Sequence, residues 1–321
     1  MSLANSAVFP KHFDRNIAKI FFDAGQELPS EYDKIFKIED APAGRDYTEA
    51  ELSDLGELLA ISEGRGVEYD TPVEGNEKTR YYSKFGRGFQ ITEELYKDDL
   101  FGNFKKLPRA LMKSARNKLE TVAWDVLNDG FSTSLAWDGK AIFANNHATL
   151  KSADTINNVA AADLSTTSLQ AAFDYFDNAV DSAGYPKLIK PKVLVIPAAS
   201  KWIANDILKA TGRVWDYASM NKGYVNDGTS NLAVAADAMN TLNPKNGIVD
   251  DWTIFVCHYL DDTDSWFLLG EDFDLRVLFK ERVRMQSYDD FDTGSMKFKA
   301  TTRFVAFANR YQEMYGSTGA G

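Results

Sequence analysis

Histidine and cysteine, two residue types often used in catalysis, are sparse in this chain. Its three histidines, His12, His147 and His258, do not stand at the His-Glu-x-x-His spacing of a zinc site. Ser219 and Lys222 match the Ser-x-x-Lys spacing of serine acyl-transfer enzymes, but the Ser-Asp-Asn and Lys-Thr-Gly segments that complete such a site do not occur in the sequence. The histidines and the serine–lysine pair therefore predict no active site.

Three further segments resemble binding motifs without completing them. Segments 64–66 and 86–88 read Gly-Arg-Gly, half of a dinucleotide-binding loop, and neither is followed by the third glycine. The acidic run at 261–264 is shorter than a calcium-binding EF-hand loop and lacks its glycine and distal glutamate. We therefore predict no cofactor, no metal ion and no catalytic residues, and hence a protein that is not an enzyme.

Composition limits the remaining function classes. The chain has 321 residues, of which 44% are hydrophobic and 13% aromatic, as in globular proteins. Its net charge of −11 disfavours tight DNA binding as the main task, because DNA carries a dense negative charge. The single cysteine, Cys257, lies in an apolar run and is predicted to be a buried thiol. With no apolar run of membrane-spanning length, the expectation is a soluble protein made in a reducing cytoplasm.

The longest regular pattern predicts a helix over 103–129. Apolar residues recur there at spacings of three and four from Phe104 to Val126, and Gly130 supplies a stop signal. About 26 residues at 1.5 Å each give a rod of about 40 Å, which suits a subunit of a large assembly better than a compact enzyme.

A basic stripe lies opposite the apolar face of this predicted helix. Its members are Lys105, Arg109, Lys113 and Arg116, spaced by four, four and three residues. The stripe is interpreted either as a solvated face that forms ion pairs within or between subunits, or as a surface for weak, non-specific contact with DNA.

Residues 50–91 predict a two-stranded ribbon around a polar tip at 70–78. Neither face of the second run, 79–91, is fully apolar, and a ribbon of two strands is marginal alone. We therefore expect the ribbon to lie on a neighbouring subunit.

The second half of the chain predicts a mixed domain followed by strands. A hairpin is expected with its turn at Asp138-Gly139 and its strands at 135–137 and 141–143. A helix from Ser165 or Thr166, a buried strand at 192–197, a helix at 198–210 and loops at 211–247 are expected to follow. The last 75 residues read mainly as strands, and the tail at 316–321 is expected to fray.

The order of these segments resembles that of a known family. GFQITEELYKDD leads into the long helix, and WDGKAIFANNHA, KPKVLVIPAASKWIANDIL and FKATTRFVAFANRY follow in that order. The chain resembles the major capsid proteins of tailed bacteriophages, most closely the major head subunit of Mu-like phages.

The resemblance implies an α+β fold, the tailed-phage major capsid protein fold, which encapsulins and the herpesvirus capsid floor share. Its parts would be an N-arm at 1–37, an extended loop (E-loop) at 38–91, a peripheral domain at 92–164 with its spine helix at 103–129, an axial domain at 165–270, and C-terminal strands at 271–321 that return to the peripheral domain.

The resemblance also implies the partners. Subunits would form hexamers and pentamers of an icosahedral head that encloses double-stranded DNA, in the virion. A separate scaffolding protein and a portal are expected as partners, and the resemblance also allows a decoration protein. No covalent Lys–Asn cross-link between subunits is predicted. The expected contacts between subunits in the E-loop are Arg65, Tyr69, Tyr81, Phe85 and Phe89.

Two alternatives stay open at this point. An encapsulin-like compartment would share the fold and enclose enzymes instead of a genome. An intracellular enzyme with a site near 192–247 would form a small oligomer instead of a large particle.

Overall fold

A computed structural model describes residues 9–92, 106–151, 155–208, 252–290 and 295–319 of the chain. The helices described are α1 (Phe9–Glu27), α2 (Lys106–Asn128), α3 (Thr166–Asp177) and α4 (Lys201–Leu208). The strands described are β1 (Lys37–Asp40), β2 (Asp46–Leu52), β3 (Glu74–Tyr81), β4 (Ser83–Ile91), β5 (His147–Ala148), β6 (Thr155–Ile156), β7 (Val159–Ala160), β8 (Val193–Pro197), β9 (Thr253–Cys257), β10 (Trp266–Leu269), β11 (Leu275–Asp290), β12 (Ser295–Ala308) and β13 (Met314–Ser317).

The chain divides into two compact units, each built from separate stretches of sequence. The first unit comprises Met1–Glu49, Glu77–Val126 and Asp274–Asn309. The second comprises Ala50–Asn76, Leu127–Phe273 and Arg310–Gly321.

The first unit contains a four-stranded sheet with the order β1-β11-β12-β4. The long strands β11 and β12 pair antiparallel, with a bulge near Glu281. Alternate residues of β12 are buried, and Ala300 packs with Phe21 of α1 and Leu111 of α2. The two helices therefore cover one face of this sheet.

Helix α2 confirms the helix predicted from apolar spacing, although 103–105 lie outside the described residues. Leu111, Leu119 and Val126 are buried along one side, as the spacing predicts. Pro108 lies in the first turn, where its missing N–H removes no helical hydrogen bond. Beyond the end of α2, the Gly130 N–H donates to the Leu127 carbonyl.

The second unit contains a five-stranded sheet with the order β7-β13-β10-β8-β9. Every residue of β8 is buried, which confirms the strand predicted at 192–197. Ser165 caps α3 reciprocally with Ser168, also as predicted. Cys257 is buried, as its apolar surroundings predicted.

Two predictions about strands in this unit are wrong. The tail does not fray at Gly316, because Met314–Ser317 forms β13, which is buried and pairs with β10 and β7. Around Gly139, whose φ is 76°, the chain turns as predicted, but its flanks form only a single bridge, between Leu135 and Ala141.

The predicted ribbon at 50–91 is wrong in its pairing. Strand β3 belongs to a two-stranded sheet with β2, and not to one with the first run of the predicted ribbon, which precedes the tip at 70–78. Strand β4 pairs with β12 of its own chain along nearly its whole length. Between β2 and β3, residues 53–73 form neither helix nor strand. The predicted loops at 211–247 and Lys105 lie outside the described residues.

Candidate functional site

The segment 53–73 exposes a concentration of large apolar side chains. Leu58 and Tyr69 are 98% and 94% exposed. The exposed apolar residues of this segment are Leu55, Leu58, Leu59, Ile61, Val67, Tyr69 and Val73. Exposure of seven large apolar side chains within one segment is typical of a surface that binds another protein.

The base of the segment is closed by hydrogen bonds. The Ser53 N–H donates to the Val73 carbonyl at 2.9 Å, and the Val73 N–H donates to Ser53 Oγ at 2.8 Å. The next residue, Asp54, donates its N–H to Ser182 Oγ at 2.7 Å and accepts from the same hydroxyl at 3.0 Å. The two ends of the segment are therefore held to each other and to the rest of the second unit.

A second set of contacts ties down the middle of the segment. Asp70 accepts hydrogen bonds from the Gly56 N–H at 2.7 Å and from Lys151 Nζ at 2.8 Å. The bond from Lys151, followed by that from Gly56, lowers the pKa of Asp70. The Glu57 N–H donates to the Tyr185 hydroxyl at 3.1 Å. These polar contacts hold the backbone while the leucine side chains stay in solvent.

This arrangement can bury apolar surface against a partner. Burying a Leu, Ile or Val side chain fully contributes about 1.5–3 kcal/mol. A segment held at its base loses less conformational entropy on binding than a free loop. The segment is therefore suited to binding a protein surface rather than to carrying out a reaction.

The residues predicted to contact other subunits fall into two groups. Arg65 and Tyr69 lie in the exposed segment, and Tyr81, at the end of β3, is 67% exposed. Phe85 and Phe89 are half-buried on β4, where their rings lie 5.2 Å from Phe304 and 5.1 Å from Phe298 of the same chain. The role of all five in contacts between subunits stays a prediction.

The basic stripe of α2 is partly engaged within the chain. Arg109 forms an ion pair with Glu27 at 2.6 Å, and Arg116 donates to the Gly25 carbonyl at 2.7 Å. Lys113 is exposed, and Lys105 lies outside the described residues. The ion-pair interpretation thus has direct support at Arg109.

A buried polar cluster that the sequence did not indicate surrounds His147 in the second unit. The ring of His147 is fully buried, and its two nitrogens lie 2.6 Å from Asp138 Oδ2 and 3.2 Å from the Ile142 carbonyl oxygen. Tyr311 stacks on the ring with centroids 3.7 Å apart. Burial of Asp138 opposes its ionisation, but the hydrogen bond and attraction from His147 outweigh burial and lower its pKa.

Glu51 completes this cluster from the end of β2. Its side chain is 3% exposed, and burial, reinforced by the charge of Asp138, raises the pKa of Glu51 to about 7. These groups are enclosed within the second unit, so we assign the hydrogen-bonded pair of Asp138 and His147 a structural role. No sequence signal could have joined these residues, since the fold alone brings them together.

A metal site and a membrane-spanning helix are both absent from the described residues. Among them, no group of three or more histidine, cysteine, aspartate or glutamate side chains is placed to hold a metal ion. No helix in the described part of the chain is long and apolar enough to cross a membrane.

The fold of this chain is shared with solved capsid structures. The capsid of the native GTA particle has this fold, with a TM-score of 0.57, 13% identity and coverage of 92% of each chain. The head of Helicobacter pylori bacteriophage KHP40 has a TM-score of 0.53 and 11% identity over 91% of this chain and 92% of that chain. The mature capsid of bacteriophage PhiM1 has a TM-score of 0.54 and 8% identity over 90% and 87%.

The family follows from the sequence itself. A family profile described as phage capsid protein matches residues 79–316. No protein of curated function matches the sequence. The chain belongs to the phage capsid protein family. It is a major capsid subunit with the tailed-phage capsid fold, a structural component of the phage head in the virion.

Proposed function

We propose that this subunit assembles as hexamers and pentamers into an icosahedral head that encloses double-stranded DNA, and that it catalyses no reaction. The observation that carries this proposal is the exposed apolar segment 53–73, which is fixed at its base and is not covered by any other described residue of the chain. In a shell, a neighbouring copy of the chain supplies that cover. The family match favours this role over an encapsulin-like compartment.

The proposal retains the division into N-arm (1–37), E-loop (38–91), peripheral domain (92–164 and 271–321) and axial domain (165–270). In this division the 53–73 segment is the outer part of the E-loop. The predicted contacts Arg65 and Tyr69 lie on this segment, and Tyr81 lies at the end of β3, the strand that follows it.

The proposal also includes partners other than the subunit itself. A separate scaffolding protein and a portal would direct closure of the shell, and a decoration protein is compatible with an exposed outer surface. Within the family, the order of the sequence segments supports a place among the head subunits of Mu-like phages.

Leu58→Ser tests the role of the segment. Leu58 is almost fully exposed in the single chain, so the change should alter subunit stability by no more than about 0.5 kcal/mol. Loss of about 1.5–3 kcal/mol at each contact should raise the subunit concentration needed for assembly by about tenfold or more. Sedimentation velocity over a concentration series measures this threshold.

The matched control is Leu188→Ser, because Leu188 is also highly exposed, at 83%, but lies outside the segment. It should assemble like the wild type. Equal assembly of the wild type and Leu58→Ser, or an equal defect in both variants, would contradict the role proposed for the segment.

A further inference from the structure

One face of the four-stranded sheet in the first unit carries an array of cations. Residues directly opposite each other in antiparallel strands project to the same face. Residues 298, 300, 302 and 304 of β12 are buried, on the face that packs against α1 and α2. On the opposite face, which we call the open sheet face, lie Lys84, Gly86, Gly88 and Gln90 of β4, Lys297, Lys299, Thr301 and Arg303 of β12, and Glu281, Arg284, Gln286, Tyr288 and Asp290 of β11.

The register brings the cations of this face together. Lys84 lies opposite Arg303, and Lys299 lies between Gly88 and Gln286. Arg284 lies opposite Thr301. Five positive side chains, from stretches of sequence about 200 residues apart, therefore share one surface.

Only part of this positive charge is neutralised within the chain. Lys297 pairs with Asp290 at 2.7 Å, and Arg284 pairs with Glu281 at 3.3 Å. Among the described residues, Lys84, Lys299 and Arg303 form no ion pair. Arg303 lies opposite Glu281, which pairs with Arg284, and its guanidinium lies 5.9 Å from the centre of the Tyr82 ring. The open sheet face is thus a local positive surface on a chain whose net charge is −11.

The shape and polarity of the face suit the phosphate backbone of DNA. Four strands at about 4.8 Å spacing make a surface wider than the roughly 12 Å major groove, so the sheet cannot enter the groove to read bases. Lys84, Lys299 and Gln286 are exposed, and their flexible donors can contact phosphate oxygens without a fixed geometry. Such contacts give weak binding without sequence preference.

An acidic segment of a neighbouring copy is a poorer match for this face. The 53–73 segment contains acidic residues, but its exposed leucines need an apolar partner surface. The open sheet face offers Tyr288 as its one large exposed aromatic side chain and is otherwise polar or charged. Charge complementarity without apolar complementarity favours the nucleic acid.

We propose that the open sheet face is the surface through which the subunit contacts the phosphate backbone of packaged double-stranded DNA. This inference rests on the proposed function, since it requires the face to line a shell that holds DNA. It moves the DNA-contacting role from the α2 stripe, where Arg109 and Arg116 already have partners in the chain, to the sheet.

The experiment compares two triple variants of the full-length subunit with the wild type. The sheet variant is Lys84→Gln, Lys299→Gln and Arg303→Gln. The control, Lys190→Gln, Lys192→Gln and Lys201→Gln, removes the same charge from exposed positions of the second unit. Fluorescence anisotropy with a labelled 25-base-pair duplex gives the affinity of each protein between 50 and 200 mM NaCl.

Each phosphate contact contributes about 0.9 to the slope of log affinity against log salt concentration. The slope for the sheet variant should therefore be about 2.7 smaller in magnitude than the slope for the wild type. The factor by which its affinity falls between 50 and 200 mM NaCl should then be about 40-fold smaller than the factor for the wild type. The control should keep the wild-type slope. Lys299→Gln alone should lose about 0.9, and it serves as the test if the triple variant melts below the wild type.

Electron microscopy of each variant separates this inference from the proposed function. Closed shells from the sheet variant, together with its weakened DNA binding, would support the inference. An unchanged slope, or an equal loss in the sheet and control variants, would overturn it. Failed shell assembly with unchanged DNA binding would also overturn it and would assign the face to an acidic segment of a neighbouring subunit. Absence of shells from the wild type would instead contradict the proposed function.

Discussion

The carboxyl group of Glu51 is buried, and burial opposes its ionisation. Its pKa in the folded subunit is raised to about 7, against about 4.3 in an unfolded chain. Between these values the folded state binds the proton more strongly, so the contribution of Glu51 to stability is most favourable below about pH 4 and is lost as the pH rises through about 7. Above pH 7 the charge of Glu51 faces that of Asp138.

Glu51→Gln should remove this loss of stability, because the amide resembles the protonated acid. At pH 8 the variant should be more stable than the wild type by about 3–4 kcal/mol, and near pH 4.5 the two should be similar. Unfolding of the purified subunit at several pH values measures the difference. Glu57→Gln, at an exposed position, is the control, and an unchanged pH dependence in Glu51→Gln would show that Glu51 ionises freely.

The side chain of Glu120, on α2, binds the backbone at Glu31 and Tyr32, in the segment between α1 and β1. Its carboxylate is 1% exposed and accepts from the Glu31 N–H at 2.7 Å, the Tyr32 N–H at 3.0 Å and Trp124 Nε1 at 3.1 Å. Glu120→Ala leaves these donors without that acceptor and should lower the free energy of unfolding by about 2–4 kcal/mol. Denaturant unfolding measures it, and a loss below about 0.5 kcal/mol would mean that water replaces the carboxylate.

At the scale of elements, the contact between β4 and β12 depends on glycine. A Cβ atom at Gly88 would lie 2.5 Å from the Phe298 carbonyl oxygen, a backbone atom that cannot move away easily. Gly88→Ala should therefore push the strands apart and destabilise the first unit by about 1–3 kcal/mol.

Gly66→Ala is the matched control, because a Cβ at Gly66 would meet nothing within 4 Å. It should be neutral or slightly stabilising, since alanine restricts the unfolded chain. Thermal melting of both variants measures the contrast. Equal melting temperatures would show that the sheet accommodates the added methyl group.

Local patterns predicted the elements whose signals lie within one segment. The apolar spacing of α2, the uninterrupted apolar run of β8 and the Ser165 cap each lie within a short stretch of sequence, and each occurs as predicted. The pairing of β4 did not follow from its sequence, because its partner β12 lies about 200 residues away. The alternation at 79–91 indicated a strand without indicating its neighbour.

Of the two candidate surfaces, the sequence indicated the loop that contains Tyr69 but not the open sheet face. The resemblance to phage capsid proteins directed attention to the loop that contains Tyr69, and the structure adds how that loop is held at Ser53 and Asp70. The open sheet face was missed because Lys84 and Lys299 come together only through strand register. Cations at alternate positions of separate strands look like ordinary surface residues in the sequence.

At the scale of the whole molecule, the described surfaces have two different chemistries. The segment 53–73 is apolar and suited to a protein partner, whereas the open sheet face is cationic and suited to a polyanion. A shell subunit needs both, since it must bind its neighbours tightly and contact the genome weakly. Weak contact is consistent with the net charge of −11, which limits affinity for DNA.

The most direct test of the capsid assignment is electron cryomicroscopy of particles formed when the chain is expressed with its neighbouring phage genes. We expect closed icosahedral shells of hexamers and pentamers in which Leu58 and Tyr69 are buried against a neighbouring copy. A uniform monomer or dimer, or shells in which the 53–73 segment stays fully exposed to solvent, would contradict the account.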